Sequence, residues 1–509
     1  MRPVFRIFLY GLLLAACVNA PHGPSEAEQS AFGQYVYRID TAQMEQQFHL
    51  LTDADTSHWG ADKAVRHCYD SLAHLDQLPR WFTRMGVDAD AFDMLEFLRR
   101  EVPRAGLDSS AFFIAEIAHD LDIVGQLAFD SLAEDINQLL PRLSYNLSRA
   151  YVRYAAGQRY GFMRPARLFN HHTMRASGEG YARLFDYEVK APNYHEATAM
   201  LFSDDRMDYL RRSEPANPLY RTLQQLLADT AAAAHSHTLA VNMERCRWQM
   251  PLPPTNGRRI IVNLPAQQLW AICPDSVLDM RICLGATTTK TPLLHSEITH
   301  MQINPDWIIT PNIIKNEVAR HGGDSAYFAR HRYYITDRST GDTLNPARVT
   351  ADQLRSGRLR VGQHGGPGNS LGRIVFRFPN NFSVYLHDTN NRSAFQRERR
   401  TLSHGCVRVQ KPLELALFLL PEADEWTADR LRISMDIPPI TDRGRQYLQE
   451  HADDALPHRL IAYHGVNPHV PVFFIYHTAY PNPDSGLMEY FPDLYGYDQV
   501  ISRNVPLIH

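Results

Sequence analysis

The chain has 509 residues, about three domain-sized units at roughly 150 residues each, which excludes a single small module. Hydrophobic residues are 44% and charged residues 21%, a globular balance that excludes both a disordered chain and a polytopic membrane protein. Lys and Arg number 52 against 56 Asp and Glu, so the net charge is -4 and no global basic field exists to hold nucleic acid. The first element is an export signal over 1–20: Arg2 and Arg6, an apolar stretch from Ile7 to Ala16, and Leu14-Ala15-Ala16-Cys17. The apolar stretch is too short for a lasting membrane span. Cleavage after Ala20 would leave Pro21 at the scissile bond, so cleavage before Cys17 fits better. Leu14 to Cys17 resembles the bacterial lipobox, which makes Cys17 a lipid carrier. The other reading is an ordinary secretory signal, and both place the mature chain outside the cytoplasm, where disulfides are permitted.

Residues 21–33 are polar and read as a tether. From 34 to about 250 the spacing predicts helices, most clearly where Ile136, Leu139, Leu140, Leu143, Leu147, Ala150, Tyr151 and Tyr154 recur at period 3.6. Pro141 should bend or interrupt that helix. The run Pro251 to Gly257 changes composition to breakers, and Arg259–Leu264, Gln268–Cys273 and Ser276–Leu284 then read as strands. Residues 304–370 look too irregular for sheet and read as a cap with a helical piece around 313–331. Ile374–Phe378 and Ser383–His387 form an antiparallel hairpin around Pro379-Asn380-Asn381. Val470 to Tyr476 is strand-like, and 436–509 is expected to pack back on the helical half. The fold class is α+β.

The six cysteines stand at 17, 68, 246, 273, 283 and 406, and no C-x-x-C pair exists. Cys273 and Cys283 fall on strand-like stretches that could face each other, which leaves a disulfide open. Cys406 sits in Ser403-His404-Gly405-Cys406-Val407-Arg408-Val409, where His404, Arg408 and a following helix are sources of charge that could favour a thiolate. His387 is the candidate base, and Tyr385, two residues before it on the same strand, points to the same face. A buried structural thiol is the plain alternative for Cys406. Gly362 to Gly372 lacks the Gly-Lys-Ser/Thr ending of a phosphate loop. The histidines and Cys406 lack the spacing of a metal site, so no metal and no cofactor are expected.

Tyr385-Leu386-His387-Asp388-Thr389 with Ser403 to Val409 resembles the catalytic signature of the L,D-transpeptidases, the YkuD-type domain of bacterial cell-wall synthesis. Asn242-Met243-Glu244-Arg245 with Trp248, Asn304-Pro305-Asp306-Trp307, Gly366 to Arg373 and Tyr495-Gly496 with Asp498 are similar to the large, helical-scaffold branch of that family. The resemblance implies a helical scaffold over 34–250 and a mainly β catalytic domain over 251–435, with 304–370 as its capping insertion. It implies Cys406 as nucleophile and His387 as base. It also implies backbone N–H groups near Gly405 and Cys406 with Tyr385 as oxyanion donors, Arg408 as a positioning group, and His404 as a residue that orients the loop. The implied reaction forms 3→3 cross-links between peptidoglycan tetrapeptide stems through a Cys406 thioester. An L,D-carboxypeptidase and a non-catalytic wall-binding scaffold are the alternatives, and a carbapenem adduct on Cys406 is expected. Only Asp229 to Thr238 stands where large members carry a small peptidoglycan-binding module. The implied partners are peptidoglycan stems, in the periplasm or cell envelope, with the membrane touched only through a lipid on Cys17.

Overall fold

The computed structural model describes residues 40–71, 79, 81–83, 86–126, 135–172 and 184–508. The export signal at 1–20, Cys17 included, and the tether at 21–33 lie outside the described residues. The chain divides into a helical unit, which runs to Leu168 and takes in Glu188–Met250 and Gly496–His509, and a sheet unit of Phe169–Tyr187 and Pro251–Tyr495.

In the helical unit, α1 (Thr41–Ala54), α2 (Gly60–Ser71) and α3 (Ala89–Arg104) pack around α4 (Ile136–Tyr160). Asp135 caps α4 by accepting from Asn137 and Gln138 N–H, and the N–H of Gly161 closes its end on Gly157 O. The apolar face drawn from the sequence is buried, and so are Ser144, Tyr145, Ser148, Arg153 and Gln158 on the remaining sides. α4 is therefore the central rod of the bundle rather than a surface helix. It continues through Pro141, so the proline does not interrupt it. The proline removes one backbone bond, at a cost of about 3 kcal/mol, and burial on all sides outweighs it. The polar residues of α4 are paired: Arg153 Nε donates to Asp62 Oδ1 at 2.6 Å, and Tyr145 hydroxyl to Asp55 at 2.9 Å. Two further helices, α5 (Pro218–Leu227) and α6 (Ser236–Arg247), follow. On α6 the buried Glu244 receives Phe162 N–H at 2.8 Å and Trp248 Nε1–H at 3.0 Å, so the Asn242-to-Trp248 motif acts as a structural anchor.

The strands of the sheet unit are β1 (Arg259–Asn263), β2 (Gln268–Cys273), β3 (Ser276–Gly285), β4 (Leu294–Ile303), β5 (Trp307–Ile308), β6 (Tyr333–Asp337), β7 (Thr343–Leu344), β8 (Leu359–Gln363), β9 (Ile374–Arg377), β10 (Leu386–His387), β11 (Thr401–Ser403), β12 (Val407–Val409) and β13 (Tyr463–Ile475), followed by a two-stranded hairpin of Ala479–Pro481 and Met488–Tyr490. Nine of them form one sheet in the order β11-β3-β12-β10-β9-β4-β13-β1-β2, and β2 also pairs with β3. The sheet thus closes into a ring of eight strands with β11 attached to β3. Closure is possible because β3 is long: 276–281 pair with β2, 282–283 with β12, and 284–285 with β11. Val262, Leu269, Ile282, Met301, Phe376 and Phe474 are buried in the ring.

β13 stands between β4 and β1, so the segment 436–509 is divided between the two units. Residues up to Tyr495 complete the sheet unit, and only Gly496–His509 belong to the helical one. The 304–370 region is not too irregular for sheet. It holds the four-stranded sheet β5-β8-β6-β7 over its own core of Ile309, Ile314, Val318, Phe328, Ile335 and Val361. The tyrosines and glycine of Tyr333–Asp337 and Leu359–Gln363 hid these short strands. Cys273 and Cys283 are both free thiols: Cys273 lies at the turn opposite Ser276, and Cys283 lies across from Arg408.

Candidate active site

The site is built by the pairing of three short strands. β9 and β10 are antiparallel with Val375 opposite His387 and Phe376 opposite Leu386, as the hairpin pattern predicts. β10 and β12 are parallel, with Leu386 beside Val407 and His387 beside Arg408. Carrying this register back one residue sets Tyr385 beside Cys406, and Val407 N–H donates to Tyr385 O at 3.1 Å. Since side chains two apart share a face, Tyr385, His387, Cys406 and Arg408 stand on one side of the sheet. Cys406 is the direct neighbour of Tyr385, and His387 is its diagonal neighbour on the same face. The rings of Tyr385 and His387 meet edge to face at 5.7 Å.

Local chemistry holds the loop that carries the nucleophile candidate. Ser403 Oγ accepts from Gly405 N–H at 3.1 Å and donates to Cys406 O at 2.6 Å. Buried Thr291 donates to Gly405 O at 2.9 Å and receives Gly285 N–H at 2.9 Å, while Tyr495 hydroxyl donates to Gly285 O at 2.7 Å. Gly405 has φ +121°, a conformation that side-chain-bearing residues rarely adopt. Because Gly405 N–H is engaged with Ser403, it is not a ready oxyanion donor, whereas Cys406 N–H has no acceptor among the described residues. At the start of β9, Gly372 has φ +65°, and a Cβ there would lie 2.4 Å from the Asp388 carboxylate, which receives Arg373 N–H at 2.9 Å. This packing fixes β9 against the residue that follows His387.

The electrostatics run against a resting thiolate. Desolvation pushes the half-buried Cys406 thiol up to about 11, although hydrogen bonds from Tyr385 and the charges of Arg377 and Arg408 oppose it. Desolvation also pulls His387 down to about 3, helped by Arg408, and its ring is 5% exposed. The resting pair is therefore thiol and neutral imidazole. Cys406 Sγ has Ser383 O at 3.9 Å as acceptor, and the buried His387 ring lies against the backbone of Asp388 and Leu371, which favour its protonated form, while no regular hydrogen bond closes on Nδ1 among the described residues. β12 separates Cys406 from the helix α7 (Pro412–Leu419), so that helix start is not the local source of positive potential.

His404 is exposed, with Nε2 2.7 Å from Glu317 Oε1 of the cap. The Trp307 side chain of β5, also in the cap, hydrogen-bonds Tyr385. Arg408 Nε is buried with no hydrogen-bond partner. Trp307 was named in the sequence only as part of the Asn304-to-Trp307 motif; Glu317 and Thr291 were not singled out because each reaches the site from a distant segment, and Arg377 lay unremarked inside the predicted hairpin. Among the described residues, no group of three or more His, Cys, Asp or Glu side chains is placed to hold a metal ion.

These features have counterparts in known proteins. Residues 257–430 match the YkuD L,D-transpeptidase catalytic domain, and residues 64–227 match a scaffold domain. The two matches together set a region similar to a YkuD L,D-transpeptidase catalytic domain after a region similar to a scaffold domain. A Haemophilus influenzae protein named "Putative L,D-transpeptidase" is 30% identical over 303 residues, which is 58% of this chain and 56% of that relative. The chain thus spans little more than half the length of that relative.

Proposed function

We propose that the protein is a peptidoglycan L,D-transpeptidase that works in the cell envelope through a thioester on Cys406. The observation that carries this reading is the strand register, which sets the sulfur beside Tyr385 and diagonal to a buried imidazole on whose Nδ1 no regular hydrogen bond closes among the described residues. The thiol passes its proton to His387 Nδ1 as Sγ attacks the carbonyl that follows the third residue of a tetrapeptide stem. Cys406 N–H and the Tyr385 hydroxyl receive the oxyanion. On collapse, the imidazolium returns the proton to the departing D-alanine amine and the tripeptide stays as the thioester. An amine of a second stem then attacks, loses its proton to His387, and releases the thiol with a 3→3 cross-link. The neutral resting pair suits this sequence, because the ion pair forms only as the new bond does. The cap, joined to the site through Trp307 and Glu317, favours the amine over water.

Incubation of purified protein with disaccharide tetrapeptide tests the reading by mass spectrometry. A cross-linked dimer that disappears in Cys406→Ala is expected. Tripeptide monomer alone would make the protein a carboxypeptidase, and unchanged substrate would leave only a wall-binding scaffold.

A further inference from the structure

Arg377 ends β9 on the face that carries the reactive pair. Continuing the antiparallel register by one residue sets it opposite Tyr385, and its guanidinium carbon lies 4.3 Å from the centre of that ring. Its Nε donates to Gln302 Oε1 at 3.0 Å, so the guanidinium is held in one plane. The two terminal nitrogens have no acceptor among the described residues, and no carboxylate pairs with Arg377 or with Arg408. Two other arginines of the sheet unit spend their terminal donors: Arg400 donates to the carbonyls of Ile282 and Gln267, and Arg459 pairs with Asp436. Half-buried Arg377 keeps a planar pair of donors open on the side of Tyr385 away from Cys406, a shape that matches a carboxylate held by two parallel bonds.

Given the function proposed above, on which this step rests, we infer that Arg377 anchors a carboxylate of the donor stem and makes the enzyme select acidic over amidated stems. The stem has two candidate groups near the scissile amide: the terminal carboxylate of the departing D-alanine and the carboxylate at the side-chain end of the third residue. Either presents the same chemistry to a guanidinium. Arg377 is then a specificity-determining residue that Tyr385 and Gln302 orient.

Equilibrium binding to Cys406→Ala separates recognition from turnover. The probes are three disaccharide tetrapeptides: the free acid, the D-alaninamide form, and the form amidated at the side-chain carboxylate. The free acid should bind about tenfold tighter than one of the amides, a difference typical of a charge-assisted pair; the amide that loses affinity identifies the carboxylate. Adding Arg377→Gln should erase that ratio, and Arg377→Lys, which keeps the charge without the fork, should restore part of it. Should the glutamine form fail to fold in a melting control, the lysine form carries the comparison. In the enzyme with Cys406 intact, Arg377→Gln should raise KM about tenfold and change kcat less. Equal weakening of all three probes, no discrimination by amidation, or no binding at all would overturn the anchor. Arg377-dependent discrimination without turnover of any stem would instead retain the anchor and remove the proposed reaction. Cross-linking with discrimination indifferent to Arg377 would do the reverse.

Discussion

A thiol held near 11 beside an imidazole held near 3 shares a single transferable proton across the neutral range. Thiol with imidazole and thiolate with imidazolium have the same proton count, so pH does not shift one toward the other. Acylation measured as kcat/KM by mass spectrometry should therefore be flat between about pH 5 and about pH 9. In His387→Ala only free thiolate can react, and the residual rate should rise about tenfold per pH unit toward the thiol pKa. A wild-type profile with that same slope would show that the imidazole takes no proton. Cys406, His387 and Tyr385 were legible in the sequence because they sit close together in two short segments. Arg377 was not, because its place opposite Tyr385 depends on how β9 and β10 pair, and composition carries no register.

At the scale of elements, the cap is a small folded body with its own apolar core, and it meets the catalytic strands through Glu317 on His404 and Trp307 on Tyr385. Each partner of the Glu317–His404 pair is about half exposed, so the contact is worth no more than about 1 kcal/mol. Glu317→Gln should loosen the cap and raise the ratio of tripeptide to cross-linked product by up to about fivefold. Chromatography of the two products checks this, and an unchanged ratio would detach the cap from the control of water. Sequence reading located β1, β2 and β3, which are rich in strong β formers, but not the ring strand β4, whose His295, Glu297 and His300 interrupt the apolar run. It missed the cap sheet, whose strands of two to five residues carry polar and aromatic side chains on both faces. It also shortened β13, since Pro468 and Pro471 break the alternation at 463–475.

At the scale of the whole chain, the catalytic fold is closed by a strand far from the signature in sequence. β13 joins β4 to β1, and Val472, Phe473 and Phe474 are buried there. A chain cut after residue 435 keeps every signature residue but opens the ring, and it should lose the cooperative thermal transition and near-ultraviolet dichroism of the intact protein. A cut chain that melts cooperatively at the parent temperature would show that closure is dispensable. An open sheet of nine strands would also present two rims of unpaired N–H and C=O groups, each a template for a stray strand from another molecule. Here the outer side of three-residue β11 is the one rim that the nine-stranded sheet retains. The same closure that aligns Cys406 and His387 therefore leaves this sheet little edge on which a strand from another molecule could settle.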